Sequence, residues 1–294
     1  MTDVHHRIIE TNGIRMHIAE QGSGPLVLLC HGFPESWYSW RHQLRSLSDA
    51  GFHVVAPDMR GYGQTSKPDE IDQYNIFQLV GDMVGLLDAL GAEKAVIIGH
   101  DWGAVVAWHA ALFRPDRFRG VAALSVPFLP RSDVSPMARA PRRDDAIFYW
   151  LYFQEPGIAE AEFGKDIRHT IQTMLGSNFG SETSEGDVAM VPVNGGLVSG
   201  KPLPPLPSWL TQDDVTFFVA EFERGGFRAP LNWYRNIERN WQLMAPFAGA
   251  QVKIPALYMA GEEDLVLRFP GFDQVVANLV MFVPQLRRTI LLPD

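Results

Sequence analysis

The sequence predicts an α/β protein, a doubly wound, mostly parallel sheet interrupted by a long helical insertion. Three observations lead there. Short apolar runs alternate with helix-like segments over the first 126 residues, the rhythm of parallel βαβ units. One run, Ala95 to Ile98, passes through Gly99-His100-Asp101-Trp102-Gly103 into a segment of helical spacing. That strand, sharp turn and helix is the context in which a nucleophile is held above a sheet. Strand signal then disappears from about Pro130 to Pro246 and returns at residues 254–260 and 288–292.

In order, residues 6–20 read as a hairpin around Asn12-Gly13, a strong two-residue turn signal. Residues 25–30 form a continuous apolar run, as expected of a strand covered on both faces. His31-Gly32-Phe33-Pro34-Glu35-Ser36-Trp37 follows at its carboxyl end, where open α/β sheets bind ligands. The Phe33–Pro34 bond is a candidate cis peptide. Residues 37–49 read as a helix and residues 53–57 as a strand. After the glycine-rich Asp58-Met59-Arg60-Gly61-Tyr62-Gly63, residues 74–91 form an amphipathic helix closed by Gly91. The helix after the turn runs to about Arg114, and residues 120–126 are a further strand. Residues 142–175 and 211–242 carry aromatic-rich helical patterns. Between them, residues 176–208 are irregular, with Pro202, Pro204, Pro205 and Pro207 crowded together. The core is therefore assigned to residues 1–129 and 246–294, its C-terminal end shortened, and a helical lid to residues 130–245.

Composition narrows the function. A hydrophobic share of 46% suffices for a sizeable core, and a net charge of −9 argues against nucleic acid and anionic membrane surfaces. The single cysteine, Cys30, excludes an internal disulfide framework and reads as a buried apolar residue. There is no apolar run of membrane-spanning length, no leader pattern, no nucleotide loop and no zinc spacing. A soluble, cytoplasmic protein without metal or cofactor is expected; its oligomeric state is left open.

The central residue of the turn is Asp101. Serine there would serve acyl transfer. Aspartate suits attack on a saturated carbon, because the product is an ester whose carbonyl belongs to the protein and which water can open. Backbone N–H groups at the following helix terminus favour the negative charge. The residue type thus points to epoxide or carbon–halogen chemistry.

The chain resembles the epoxide hydrolases of the α/β-hydrolase fold, soluble type. The matching segments are the His31 to Trp37, Asp58 to Gly63 and Gly99 to Gly103 stretches, Tyr152-Phe-Gln-Glu-Pro-Gly, Leu231-Asn-Trp-Tyr-Arg-Asn and Gly261-Glu-Glu-Asp. The Gly-His-Asp-Trp-Gly turn is shared with haloalkane dehalogenases; the two lid segments are more specific. The resemblance makes Asp101 the nucleophile and Tyr149 and Tyr234 the lid pair that holds the epoxide oxygen. A phenol of pKa roughly 10 can donate a hydrogen bond and then a proton to that oxygen, whereas a departing halide needs none. The backbone N–H groups of Phe33 and Trp102 would form the oxyanion hole. Phe33, Trp102, Ile147 and Trp150 would line an apolar pocket for a small aryl or alkyl epoxide. Asp264 fits the acid that orients the base, with Glu262 and Glu263 as rivals that only the family match sets aside.

The base is the missing part. In this fold the triad runs nucleophile, acid, histidine, and none of the nine histidines follows Asp264. The expectation is that the base lies beyond residue 294. His100 and His109 read as hydrogen-bonded core residues and His169 as a solvated lid residue. The leading reading is a cofactor-free epoxide hydrolase forming a vicinal diol through an aspartyl ester. The alternatives are a haloalkane dehalogenase or a hydrolase-derived binding protein without its base.

Overall fold

The structure, a computed structural model, describes residues 4–176 and 188–293. It opens on an antiparallel hairpin of β1 (His5–Thr11) and β2 (Ile14–Gln21). Asn12 and Gly13 turn it, with φ of 42° and 75°, the doubly left-handed geometry that Asn-Gly accepts most readily. Then come β3 (Leu26–Cys30), α1 (Arg41–Asp49), β4 (His53–Pro57), α2 (Ile76–Ala89), β5 (Ala95–His100), α3 (Trp102–Phe113) and β6 (Phe118–Leu124). All five residues of β3 are buried, as its unbroken apolar run requires. Asn75 caps α2 by accepting from the N–H groups of Phe77 and Gln78.

The segment read from the sequence as a lid carries α4 (Pro136–Arg139), β7 (Ala146–Phe148), α5 (Tyr149–Tyr152), α6 (Ile158–Phe163), α7 (Ile167–Gly176), β8 (Met190–Pro192), α8 (Gln212–Gly225), α9 (Arg228–Arg235) and α10 (Ile237–Leu243). The core resumes with β9 (Ala256–Gly261), α11 (Phe272–Ala277), α12 (Leu279–Phe282) and β10 (Leu286–Leu292). The eight-stranded sheet runs β1-β2-β4-β3-β5-β6-β9-β10. Every neighbouring pair from β4 to β10 is parallel, and the β1–β2 and β2–β4 pairs are antiparallel.

Three expectations are corrected. Residues 142–175 are not helical throughout: β7 pairs antiparallel with β8 in a separate two-stranded ribbon. The pairing partner lies more than forty residues on, so local periodicity could not show it. That partner also gives order to the stretch 176–208, of which residues 177–187 lie outside the described residues. The helix of residues 74–91 begins later, at Ile76, because Asn75 caps it from extended backbone.

One polar cluster ties hairpin, core and lid together. Arg60 and Asp82, each 1% exposed, form a bidentate pair with Nε–Oδ2 at 2.8 Å and Nη2–Oδ1 at 2.5 Å. Asn12 donates to the same carboxylate at 2.9 Å, and the Thr11 hydroxyl donates to the Asp82 carbonyl at 3.0 Å. On the lid side, the Trp233 indole donates to the Arg60 carbonyl at 3.0 Å. The glycine-rich loop is thereby fixed between the sheet and α9. Among the described residues no helix is long and apolar enough to cross a membrane.

Candidate active site

Asp101 stands between β5 and α3 with φ 51° and ψ −121°. A non-glycine residue held there is strained, and surrounding structure must compel it. Two glycines allow the compression. A Cβ on Gly99 would meet the Gly103 carbonyl oxygen at 2.0 Å, and one on Gly103 would meet the Cys30 carbonyl oxygen at 2.0 Å. Strand β5, helix α3 and the end of β3 therefore pack at distances only glycine permits. Gly32 presses from the opposite loop, where a Cβ would lie 2.4 Å from that of Asp101.

The carboxylate is held from its own side of the cleft. The Phe33 N–H donates to Asp101 Oδ1 at 2.8 Å, and the Trp102 N–H donates as well. The loop bearing Phe33 is itself fixed. The Phe33–Pro34 peptide is cis, as anticipated. His31 donates from Nδ1 to the Gly32 carbonyl at 2.9 Å and accepts at Nε2 from the Met59 N–H at 3.0 Å. Burial raises the Asp101 pKa to about 6, against the opposing pull of the His100 charge and the two N–H groups. A carboxylate so placed is ionised at neutral pH yet poorly solvated, which suits a nucleophile.

Across the cleft the lid supplies both tyrosines. Tyr149 opens α5 and Tyr234 lies in α9, with ring centroids 5.8 Å apart. Gln154 bridges their segments by donating to the Trp150 carbonyl at 2.7 Å and the Tyr234 carbonyl at 3.1 Å. Phe33, Phe153 and Trp102 meet the Tyr234 ring edge-on at 5.5, 4.8 and 5.1 Å. Burial, and next the negative charge of Asp101, raise both phenol pKa values above their usual range. Both rings therefore remain protonated donors across the pH range in which Asp101 is charged.

Asp264 caps the turn after β9. Its Oδ1 accepts from the Ser125 hydroxyl at 3.1 Å and the Val266 N–H at 2.9 Å. Among the described residues no histidine hydrogen-bonds it. His100 does not fill the gap. Its Nδ1 meets Glu35 Oε1 at 2.7 Å. Burial opposes both charges, but their mutual attraction prevails: it raises His100 to about 9 and holds Glu35 down at about 2. A charged imidazolium cannot accept a proton. His100 is also 41% exposed at its side chain, not a core residue. It follows the alternation of β5 onto the face where Val96 and Ile98 are only partly buried. His109 is half-buried, bonded from Nδ1 to the Val105 carbonyl at 2.7 Å, and faces a cavity. His169, on α7, meets the Lys201 carbonyl at 3.0 Å.

Two cavities, of about 180 and 140 Å³, meet at Asp101, Tyr149 and Tyr234. Trp102 and Trp150 line the first and Phe33 the second. Ile147 lines neither. It lies on β7, whose alternation puts Ala146 and Phe148 on one buried face and Ile147 on the other. Sequence reasoning missed Glu35 as the partner of His100. The signal was a glutamate in the loop after β3, facing the strand end that leads into Asp101.

Comparison with known proteins agrees with this geometry. The alpha/beta hydrolase fold family model matches residues 25–268. Epoxide hydrolase A of Mycobacterium tuberculosis is 48% identical over 91% of this chain and 85% of its own. Epoxide hydrolase 3 of Siraitia grosvenorii is 42% identical over 100% of this chain and 92% of its own. The crystal structure of epoxide hydrolase A from Mycobacterium thermoresistibile superposes with a TM-score of 0.92 at 46% identity, covering 99% of this chain and 92% of that one. A doubly wound sheet, an aspartate at a strained strand–helix turn and this breadth of likeness together place the chain among the epoxide hydrolases of the α/β-hydrolase fold family.

Proposed function

We propose that the protein opens an apolar epoxide to a vicinal diol through an ester on Asp101. The observation that carries this reading is Asp101 at the floor of a cleft whose roof presents two protonated tyrosines. Asp101 Oδ bonds to an epoxide carbon as the carbon–oxygen bond of the ring breaks. Tyr149 and Tyr234 donate hydrogen bonds to the departing oxygen, and one gives it a proton. Water then adds to the ester carbonyl, whose oxygen is held by the Phe33 and Trp102 N–H groups. Collapse of that intermediate frees the diol and restores the carboxylate, and the proton that the water gives up returns to the tyrosinate. Asp264 orients the base of this second step, and residues 130–245 act as a lid that keeps bulk water from the cleft.

Among the described residues no histidine hydrogen-bonds Asp264, and the ester on Asp101 is the species to look for first. Intact-mass measurement after mixing with excess styrene oxide is expected to show one added substrate mass, lost in Asp101→Asn. Protein that never gains mass and yields no diol would sink the reading; a one-substrate adduct formed only from a haloalkane would favour dehalogenation.

The pH dependence follows from the sign of the Asp101 shift. Only the anion attacks, and the raised pKa keeps it protonated to about pH 6. The rate of adduct formation should fall roughly tenfold per unit below that value and level off above it. Stopped-flow tryptophan fluorescence from pH 4.5 to 8 follows it, and a flat profile across pH 5–7 would contradict the assignment.

A further inference from the structure

We propose that Arg131 is a substrate-recognition residue: it binds the carboxylate end of an epoxide whose other end is apolar, and so sets which way round the substrate lies over Asp101. The inference rests on the epoxide-hydrolase reading of the site and deepens it.

The two cavities share Asp101, Tyr149 and Tyr234, so they are arms that meet at the reacting atoms. Their chemistry differs. One arm presents Phe33, Phe153, Met174, Leu197 and Leu265. The other combines an apolar wall with Arg131, Ser132, His109 and Asn240. Among the described residues lining either arm, Arg131 is the sole cation and Asp101 the sole acid.

Arg131 is positioned but not neutralised. Its Nε donates to the Trp241 carbonyl at 3.0 Å, and its guanidinium lies 4.3 Å over the Trp241 ring. The Trp241 indole in turn donates to the Ser132 carbonyl at 2.7 Å, closing a clamp between the loop after β6 and α10. Stacking and one hydrogen bond hold the guanidinium plane while its two Nη groups keep their donors. Among the described residues no carboxylate pairs with it. Arg235, in the same lid, has Glu160 at 2.8 Å.

The neighbours favour an anion. Asn240 accepts from the Ile76 N–H at 2.8 Å through its oxygen, which leaves its NH2 group to donate. His109 adds no rival cation, because burial lowers its pKa and its Nδ1 proton is used on Val105. A planar fork with free donors matches a carboxylate bidentately. Orientation follows from charge: ionised Asp101 repels a carboxylate and Arg131 attracts it. The acid end therefore lies in the Arg131 arm and the hydrocarbon end in the arm of Phe153 and Leu197.

The first test needs no turnover. Calorimetric binding of octanoate and of octan-1-ol is measured on the wild type, Arg131→Met and Arg131→Lys. Octanoate should bind the wild type more tightly than the alcohol. Arg131→Met should weaken octanoate roughly 10–100-fold, the scale of a charge-assisted hydrogen-bonded pair, and leave the alcohol within about twofold. Arg131→Lys should recover part of the loss. For the reaction, the concentration of epoxidised oleate that gives half the maximal rate of adduct formation should rise in Arg131→Met, while that of its methyl ester does not. Equal weakening of acid and alcohol would mean that Arg131 only props Trp241, and no preference for octanoate in the wild type would also overturn the subsite. Octanoate selectivity with neither adduct nor diol from any epoxide would uphold the subsite and refute the reaction; adduct or diol without selectivity would do the reverse.

Discussion

Changing Tyr149 and Tyr234 together to phenylalanine should slow formation of the Asp101 ester by about 10³-fold or more. Ring opening moves a full negative charge onto the epoxide oxygen. The two phenols are the donors on the lid side of the cleft, and burial keeps both protonated. Removing one such donor typically costs roughly 10²–10³ in rate, and donors acting as a pair are not additive. Each single variant should therefore retain part of the rate, with the double variant well below either. Single-turnover mass spectrometry with styrene oxide measures this. The rings stay in their aromatic cage, since phenylalanine keeps the packing of Tyr234 on Phe33, Phe153 and Trp102. An unaltered urea midpoint would separate lost chemistry from lost folding. A double variant within tenfold of the wild type would refute the proton-donor role.

The largest effect on stability is expected at Asp82. Asp82→Ala leaves the Arg60 guanidinium, 1% exposed, without its counter-charge. Removing one partner of a buried pair costs about 3–5 kcal/mol. Here the loss also removes one acceptor of Asn12 Nδ2, leaving it Gln78 alone, and loosens the loop that carries the Trp233 bond. The urea midpoint should drop at unchanged m-value. Arg60→Leu combined with Asp82→Leu should recover much of the loss, because no unpaired charge then remains. A drop of under 1 kcal/mol in Asp82→Ala would show that the pair does not hold the loop.

Local patterns in the chain carried most of the architecture. Asn12-Gly13, the apolar run of β3 and the spacing of α2 and α3 each declare an element through residues close in sequence. The same holds for Asp101. Its two flanking glycines are needed because strand, helix and neighbouring loop meet there at contact distance, and aspartate in that turn already implies attack on carbon. The lid tyrosines became legible through the segments around them, Tyr152 to Gly157 and Leu231 to Asn236, and not through periodicity.

Contacts between distant residues had to be seen in three dimensions. The β7–β8 ribbon joins residues on either side of the irregular stretch, so no window of sequence contained both strands. Glu35 comes from the loop after β3 and His100 from the end of β5, and only their 2.7 Å approach turns an expected core histidine into a charged one. Ile147 lines neither cavity, because it lies on a strand rather than the expected helix. Arg131 carries no motif; its place in the cavity depends on the stack with Trp241, more than a hundred residues later. Residue type and near neighbours determined the fold and the aspartate at its strand–helix turn. Burial and the juxtaposition of far segments decided which side chains are charged, which face the cleft and what end of a substrate they meet.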